Sequence, residues 1–197
     1  MTIAIVDYGA GNLTSVKKAF DHLGETCVIT SEAKEVSRAA KIVLPGVGHF
    51  ASTAGLANSG MQLAIAQAID RDVPFLGICV GMQWMFTGSD ESLETRGLSL
   101  FSGNCARFPA TVKSPHVGWN QLQISSSSRL FRGLSNASFV YFTHSYRAPI
   151  VDHTVACCEY GGQFSAAVER GHLFGVQFHP EKSGDAGLEI LRNFCEL

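Results

Sequence analysis

Neither sign of charge is in excess in this sequence. Its 197 residues include 15 Lys and Arg against 17 Asp and Glu, which gives a formal net charge of −2. Domains that bind nucleic acids usually carry a basic excess or a basic stripe, so the charge balance argues against that class of protein. Charged residues make up only 16% of the chain and hydrophobic residues 46%, a composition that excludes an intrinsically disordered protein.

Long hydrophobic runs are missing as well. The longest apolar stretch, residues 73–86, has 14 residues, whereas a helix needs about 20 to cross a bilayer. The first residues, MTIAIVDYG, contain no basic segment of the kind that begins a signal peptide. We therefore expect a cytoplasmic protein.

Six cysteines are present, but they form no pattern that is typical of a metal site. No two of them are spaced as CxxC, and Cys157 and Cys158 are adjacent, which makes a poor disulfide framework. We therefore expect reduced thiols, most of them packed as small apolar side chains, and no metal or cofactor. Cys79 differs from the other five because of its glycine neighbours.

The first half of the chain predicts an α/β arrangement. Short apolar strands alternate with helices, which indicates a parallel sheet covered on both faces. The predicted strands are residues 2–6, 26–30, 42–44 and 74–79, and the predicted helices are residues 13–23, 61–71 and 80–87.

The second half predicts antiparallel additions to that sheet. Strands with short connections are expected at residues 119–124, 139–142, 154–160, 165–169 and 172–178, and a closing helix at 185–197. The serine run 125–128 is short enough for a turn. We expect one α/β domain over residues 1–197, with a mixed, mostly parallel open sheet flanked by helices.

The pentapeptide Gly77-Ile78-Cys79-Val80-Gly81 has the form of a nucleophile elbow between a strand and a helix. Glycines fit there because the backbone of such a turn is crowded and strained. The free N–H groups at the start of a helix favour a thiolate, and the N–H of Val80 can donate to an oxyanion. The pentapeptide alone fits equally well a buried thiol between two packing glycines.

A histidine and a glutamate near the C-terminus favour the catalytic interpretation. In a strand through residues 174–178, Gln177 and His179 face the same side, and continuing the period of two past Pro180 brings Glu181 to that side. A carboxylate two residues from an imidazole can accept the Nδ1–H bond and leave Nε2 free for a thiol. A lone histidine at a strand end is more often a polar terminus.

Two glycine-rich turns follow predicted strands. The turn at residues 45–48, Pro-Gly-Val-Gly, borders the crevice in which open α/β folds bind ligands, and its backbone could supply a second oxyanion donor. An ordinary strand-to-helix loop has the same pattern. The second turn, YGAGN at residues 8–12, fits neither the Walker nor the dinucleotide-binding pattern.

The blocks GICVGMQ (77–83) and QFHPEKS (177–183) resemble the class I, triad-type glutamine amidotransferases. Four further blocks are similar to the glutaminase subunits of imidazole glycerol phosphate synthases, namely DYGAGNLTS (7–15), PGVGHF (45–50), PHVGWN (115–120) and FTHSYR (142–147). The resemblance spans nearly the whole chain and departs from the usual pattern at Val80, where leucine is more common. Since that residue acts through its backbone, we expect little effect.

The resemblance implies a set of site residues. The catalytic triad corresponds to Cys79, His179 and Glu181, and the amides of the oxyanion hole correspond to Val80 and Val47. The glutamine-binding positions are Gly46, Gly48, Gln83, Thr143, Ser145 and Tyr146, and the positions that face a partner are Asn12, Trp119 and Lys182. For His116 and His144, a structural and a catalytic role are equally compatible with the sequence.

The function implied by the resemblance is hydrolysis of glutamine to glutamate and ammonia through a cysteine thioester. The ammonia would pass to a (β/α)8-barrel cyclase subunit, in a heterodimer that makes imidazole glycerol phosphate and aminoimidazole carboxamide ribotide in histidine biosynthesis. No cofactor is implied.

Three alternatives remain open at this point: a cysteine peptidase or deglycase-like hydrolase, a scaffolding subunit without activity, and an amidotransferase subunit that serves vitamin B6 or tryptophan synthesis. The last differs from the favoured function only in its partner, and the blocks PHVGWN and DYGAGN argue against it.

Overall fold

The first half of the chain alternates strands and helices in the computed structural model, which describes residues 2–124 and 128–197. The strands are β1 (Thr2–Val6), β2 (Thr26–Thr30), β3 (Lys41–Gly46) and β4 (Phe75–Cys79). The helices between them are α1 (Leu13–His22), α2 (Ala33–Val36), α3 (Ala54–Asn58) and α4 (Met61–Ile69), with a 3₁₀ turn at Phe50–Thr53.

The second half consists mainly of strands. After the short helix α5 (Val80–Gln83) come β5 (Gly88–Ser89), β6 (Ser92–Arg96), β7 (Asn104–Arg107), β8 (His116–Gln121), β9 (Gln123–Ile124), β10 (Phe139–His144) and β11 (Tyr146–Arg147). They are followed by β12 (Thr154–Glu159), β13 (Gln163–Arg170), β14 (Leu173–Val176), a 3₁₀ turn at Pro180–Lys182 and helix α6 (Gly184–Cys195).

An eight-stranded sheet with the order β2-β1-β3-β4-β14-β13-β12-β9 organises these elements. The strands from β2 to β14 in that order pair in parallel, and β13, β12 and β9 are added antiparallel. The predicted mixed, mostly parallel sheet with antiparallel strands from the second half is confirmed. Two smaller sheets, β10-β8 and β11-β7-β5-β6, lie beside the large one.

Burial along the central strands explains their apolar composition. Every residue of β3 and β4 is buried, as expected for strands that are covered on both faces. Helix α1 buries Val16, Ala19 and Phe20, three positions that recur on one helical face. The carboxyl ends of β3 and β4 are therefore held rigidly, and the loops that follow them start from fixed points.

The predicted helix 80–87 is wrong beyond Gln83. The carbonyl groups of Trp84 and Met85 accept hydrogen bonds from the N–H groups of Leu98 (2.7 Å) and Leu100 (2.8 Å) instead of continuing a helix. A Cβ on Gly97 would lie 2.0 Å from the Phe86 carbonyl oxygen, so only glycine permits this approach. A segment distant in sequence thus ends the helix.

Three other predictions need correction or fall outside the described residues. The strand predicted at 119–124 is divided at Leu122, a buried residue that separates β8 from β9 in the sequence. The two strands belong to different sheets. The strand predicted at 172–178 ends at Val176. Residues 125–127 of the predicted serine turn lie outside the described residues.

Candidate active site

Cys79 ends strand β4 at a sharp turn into α5. Its backbone has φ 54° and ψ −108°, a conformation that is strained for a residue with a side chain. A Cβ on Gly77 would lie 2.6 Å from the Gly81 carbonyl oxygen, and a Cβ on Gly81 would lie 1.9 Å from the Leu44 carbonyl oxygen. Both glycines are therefore required by close backbone packing around the cysteine.

The pairing of β14 with β4 brings the histidine segment next to this turn. His179 Nδ1 and Glu181 Oε1 are 2.9 Å apart, and both side chains are only 1% exposed. The predicted continuation of the strand period past Pro180 is wrong, because Pro180–Lys182 forms a 3₁₀ turn. That turn, and not strand alternation, folds the carboxylate back onto the ring.

The second ring nitrogen of His179 faces the sulfur of Cys79. His179 Nε2 is buried and has no partner with hydrogen-bond geometry among the described residues. Burial alone would lower the pKa of His179, but the nearby Cys79 sulfur and the hydrogen-bonded Glu181 carboxylate outweigh it and raise that pKa to about 10. The ring is therefore stabilised as an imidazolium when the sulfur and the carboxylate are anionic.

Two more groups contact the Cys79 sulfur. Gln177 Nε2 lies 3.7 Å from Sγ, and the carbonyl oxygen of Thr143 lies 4.0 Å from it. Gln177 is fully buried. It was not among the predicted site residues, although the strand period places it on the same side as His179.

A cavity of about 200 Å³ opens in front of the sulfur. Seven of the predicted binding residues line it together with Cys79: Val47, Gly48, Val80, Gln83, Thr143, Ser145 and Tyr146. The lining also includes Glu91, Pro115 and His144, which were not predicted to bind a ligand. The carboxylate of Glu91 accepts a hydrogen bond from the N–H of Phe50 (2.8 Å) and no sequence motif marks it.

Gly46, which was also predicted to bind glutamine, does not line this cavity. It is buried and pairs in register with Cys79, and a Cβ on it would lie 2.6 Å from the Val80 Cβ and 2.9 Å from the Tyr8 hydroxyl. Gly46 therefore allows β3 to pack against the elbow. The YGAGN turn supports the same region, since a Cβ on Gly11 would lie 3.3 Å from the Pro45 carbonyl oxygen.

Two further histidines, His116 and His144, form a buried chain of hydrogen bonds. His144 Nδ1 contacts the Tyr146 carbonyl oxygen (2.9 Å), His144 Nε2 contacts His116 Nδ1 (3.2 Å), and His116 Nε2 contacts Asn120 Nδ2 (3.3 Å). Because a carbonyl only accepts, one order of donors fits: Asn120 to His116, His116 to His144, and His144 to Tyr146. Burial lowers the pKa of His144 to about 3 and that of His116 to about 4. Both rings are thus neutral near pH 7, with every ring nitrogen hydrogen-bonded, which favours the structural role.

Trp119 and Lys182 both pack against the ring of Tyr141 at the surface. The ring centroids of Trp119 and Tyr141 are 6.2 Å apart across the β8-β10 pair, and Lys182 Nζ lies 5.9 Å from the centre of the Tyr141 ring. Trp119 is 55% exposed and Val117, on the same strand face, 56%. Asn12 lies half-buried at the start of α1, where its side chain does not cap the helix.

A sequence model of the family described as glutamine amidotransferase class-I matches residues 4–197. The chain belongs to this family. It is 47% identical to the imidazole glycerol phosphate synthase subunit HisH of Moorella thermoacetica, over 99% of this chain and 94% of the relative. It is 43% identical to the HisH subunit of Methanocaldococcus jannaschii, over 99% of both chains. Within the class-I amidotransferases, the chain therefore belongs with the HisH subunits.

Solved structures show the same class-I amidotransferase fold. PurLQS from Thermotoga maritima superimposes with a TM-score of 0.79 at 18% identity, covering 99% of this chain and 97% of the other. The glutaminase domain of Trypanosoma brucei CTPS with bound acivicin gives 0.67 at 19% identity, covering 100% and 94%. Sequences this different thus share one arrangement of strands and helices.

The described residues contain neither a candidate metal cluster nor a membrane-spanning helix. Within residues 2–124 and 128–197, no three His, Cys, Asp or Glu side chains are grouped so that they could hold a metal ion. No helix in the described part of the chain is long and apolar enough to span a membrane.

Proposed function

We propose that this chain hydrolyses glutamine with Cys79 as the nucleophile, His179 as the acid and base, and Glu181 as the group that orients the imidazole. The observation that carries the proposal is the buried His179–Glu181 pair, 2.9 Å apart, beside a cysteine on a strained elbow. The Cys79 thiolate attacks the carboxamide carbon of glutamine, and His179 gives a proton to the departing ammonia. His179 then activates the water that hydrolyses the thioester and releases glutamate.

Two backbone N–H groups stabilise the oxyanion in this proposal. Val80 follows the nucleophile directly, and Val47, which also lines the cavity, follows Gly46, the residue paired in register with Cys79. Each such donor is typically worth about 3–4 kcal/mol in the transition state. Val47 is 40% exposed, so docking of a partner could reorient its peptide and gate the reaction.

The cavity supplies complementary groups for an amino-acid substrate. Glu91 can pair with the α-ammonium group, while Thr143, Ser145 and Tyr146 present hydroxyl and backbone groups to the rest of the molecule. Both amide N–H groups of Gln83 already donate, one to the Tyr146 carbonyl oxygen and one to Gln177 Oε1. Gln83 can therefore contact the substrate only as an acceptor, through its amide oxygen.

The ammonia passes to a (β/α)8-barrel cyclase subunit in a heterodimer, which forms imidazole glycerol phosphate and aminoimidazole carboxamide ribotide. The names of the HisH relatives, each a subunit of a synthase, support this step. The exposed cluster of Val117, Trp119, Tyr141 and Lys182 contains two of the aromatic side chains that are enriched in protein interfaces, and Asn12 is a further candidate contact. We also propose that residues 1–197 form one glutaminase domain and that the complex acts in the cytoplasm without a cofactor.

Release of ammonia from glutamine, with and without the cyclase, tests the proposed function. We expect slow hydrolysis by the free chain, faster hydrolysis with the cyclase, and none by Cys79→Ala. Cleavage of unstructured peptides in a parallel assay, with no release from glutamine, would instead favour a peptidase. If the Cys79→Ala variant still hydrolysed glutamine, the assignment of Cys79 as the nucleophile would be wrong.

A substitution on the exposed cluster tests the partner surface. Trp119→Ala should weaken cyclase binding by about tenfold or more, because central exposed tryptophans commonly dominate interface energies. The matched control is Leu63→Ala on α4, another exposed apolar side chain (63%). Equal affinities of the two variants, measured by titration calorimetry, would exclude this face as the interface.

A further inference from the structure

We propose that Gln177 is a positioning residue that holds the Cys79 sulfur as a hydrogen-bond acceptor through its amide N–H. The inference rests on the proposed role of Cys79 as the nucleophile. Gln177 Nε2 lies 3.7 Å from Sγ, and the side chain is fully buried between the elbow and the histidine segment. The following contacts fix which end of the amide faces the sulfur.

The orientation of the Gln177 amide is set by Gln83. Gln83 Nε2 donates to the Tyr146 carbonyl oxygen (2.8 Å) and to Gln177 Oε1 (3.2 Å). A carbonyl only accepts, so the nitrogen of Gln83 must point toward Tyr146. Its second N–H then needs an acceptor at Gln177, which leaves the Gln177 NH₂ group directed at Cys79.

The Tyr146 carbonyl oxygen is itself held from a second side. It accepts from His144 Nδ1 (2.9 Å), and His144 is held by His116. Both rings are neutral near pH 7 with fixed donor directions, as the lowered pKa values of the two histidines indicate. The path from His116 to the sulfur is therefore a continuous chain of oriented hydrogen bonds that crosses four segments of the protein.

The two polar neighbours of the sulfur favour opposite protonation states. The Thr143 carbonyl oxygen, 4.0 Å away, can only accept and so favours the thiol, whereas the amide N–H of Gln177 favours the thiolate. His179 also favours the thiolate, but it must change its charge during the reaction. Gln177 provides a donor that stays unchanged throughout, so its removal is expected to make the thiolate harder to form.

The test is the pH dependence of iodoacetamide alkylation at Cys79, read by mass spectrometry. Trypsin releases residues 72–96, a peptide in which Cys79 is the single cysteine. In Gln177→Met, which keeps the volume and removes the donor, we expect the rate near pH 7 to fall about tenfold and the midpoint of the profile to rise by about one pH unit. Gln177→Glu replaces the donor with an acceptor and should lower the rate further.

Two controls separate positioning from a general loss of structure. Asn193→Asp makes the same amide-to-carboxylate change at a buried site in α6, where Asn193 donates to Leu130 and Arg132, and should leave the Cys79 profile unchanged. Cys105 is fully buried and alone in the tryptic peptide 97–107, so its alkylation reports opening of the fold. Protection of Cys105 in the Gln177 variants shows that they are folded.

An unchanged Cys79 profile in folded Gln177→Met would overturn the inference while leaving the proposed function intact. If native Cys79 reacts no faster than free cysteine at any pH, the proposed function fails instead. Should both Gln177 variants expose Cys105, Gln83→Met decides the matter, because it frees the Gln177 amide to turn. We expect about a threefold slower reaction in that variant, and an unchanged rate would reject the inference.

Discussion

At the scale of single residues, the site depends on one strained backbone conformation. Cys79 is one of three non-glycine residues with positive φ among the described residues, and its ψ of −108° departs from the ordinary left-handed helical region. Such a conformation costs about 1–3 kcal/mol and persists only where the surroundings enforce it. Here the tight contacts of Gly77 and Gly81 enforce it, and they also aim the sulfur at His179.

Relief of this strain gives a stability prediction. The free energy of unfolding of Cys79→Gly should exceed that of Cys79→Ala by about 1 kcal/mol, because glycine adopts positive φ without a Cβ penalty. Its urea midpoint should therefore be higher. Both variants lack the sulfur and should release no ammonia. Equal unfolding free energies would mean that the backbone relaxes once the sulfur is removed.

Replacement of the other two triad residues should have unequal effects. His179→Ala removes the proton carrier, whereas Glu181→Gln keeps a group that can still contact Nδ1, which lies 2.9 Å from Oε1. We therefore expect a smaller loss of kcat for Glu181→Gln, measured by ammonia release with saturating glutamine. The reverse order would contradict the assigned roles.

At the scale of elements, the elbow is a close contact between two strands and one helical turn. Strand β3 approaches α5 so closely that only glycine fits at position 81, where a Cβ would lie 1.9 Å from the Leu44 carbonyl oxygen. Gly46, at the end of β3, makes a similarly close contact, because a Cβ on it would lie 2.6 Å from the Val80 Cβ and 2.7 Å from the Gly81 backbone nitrogen. The position of the nucleophile is therefore determined by packing of backbone against backbone.

A pair of glycine substitutions tests this packing. Gly81→Ala should destabilise the fold by about 3 kcal/mol or more, because backbone atoms must move to admit the methyl group. Gly55→Ala in α3 is the matched control: its nearest neighbour is at 3.6 Å, so the substitution should be neutral or stabilise by up to about 1 kcal/mol. Urea unfolding of both variants measures the difference, and similar values would refute the packing argument.

Elements with a strong apolar period could be predicted from the sequence, and those decided by distant contacts could not. Strands β1 and β2 coincide with their predicted ranges, because β1 is a short apolar run with four of its five residues buried and β2 consists mainly of β-branched residues. Strands β5 and β11 have two residues each, too few to carry a period. The end of α5 is set by the segment after Gly97, which no local pattern reveals.

The same limit applies to the candidate site. The elbow and the HPE block are local patterns, so their residues could be named in advance. Glu91 and Gln177 enter the site only through the packing of elements far apart in sequence. A glycine-rich turn does not indicate which of its glycines lines a cavity and which, like Gly46, packs against the elbow.

At the scale of the whole molecule, a buried aromatic and histidine cluster joins the small β10-β8 sheet to the large one. His116 stacks on Tyr160 with ring centroids 4.0 Å apart, and His144 packs against Phe164 at 5.4 Å. Phe164 belongs to β13 of the large sheet, so both histidines lie at the junction of the two sheets. A charge on either ring would weaken this junction.

Acid should therefore destabilise the protein. The folded pKa values of His116 and His144, about 4 and about 3, lie below the ordinary 6.5, so their contribution to stability is fully present above pH 6.5 and is lost as the pH falls toward 4 and then 3. Each histidine can contribute up to about 1.4 kcal/mol per pH unit in that range. Urea unfolding at several pH values between 6.5 and 3 measures how steeply the free energy of unfolding falls with pH.

The double variant His116→Asn and His144→Asn should show a shallower slope below pH 6.5. The control is His22→Asn, at the exposed end of α1, which should keep the native slope. A native slope in the double variant would assign the acid sensitivity to other groups.

The insertion of β14 between β4 and β13 has a consequence for biosynthesis on the ribosome. The nucleophile is translated a hundred residues before its base, and β14 is the last strand of the chain. A nascent chain that has completed the elbow still holds an unassisted thiol, and the strand that delivers the imidazole must enter a gap in a sheet whose other members already exist. Reactivity is thus withheld until the segment that carries His179 has been made.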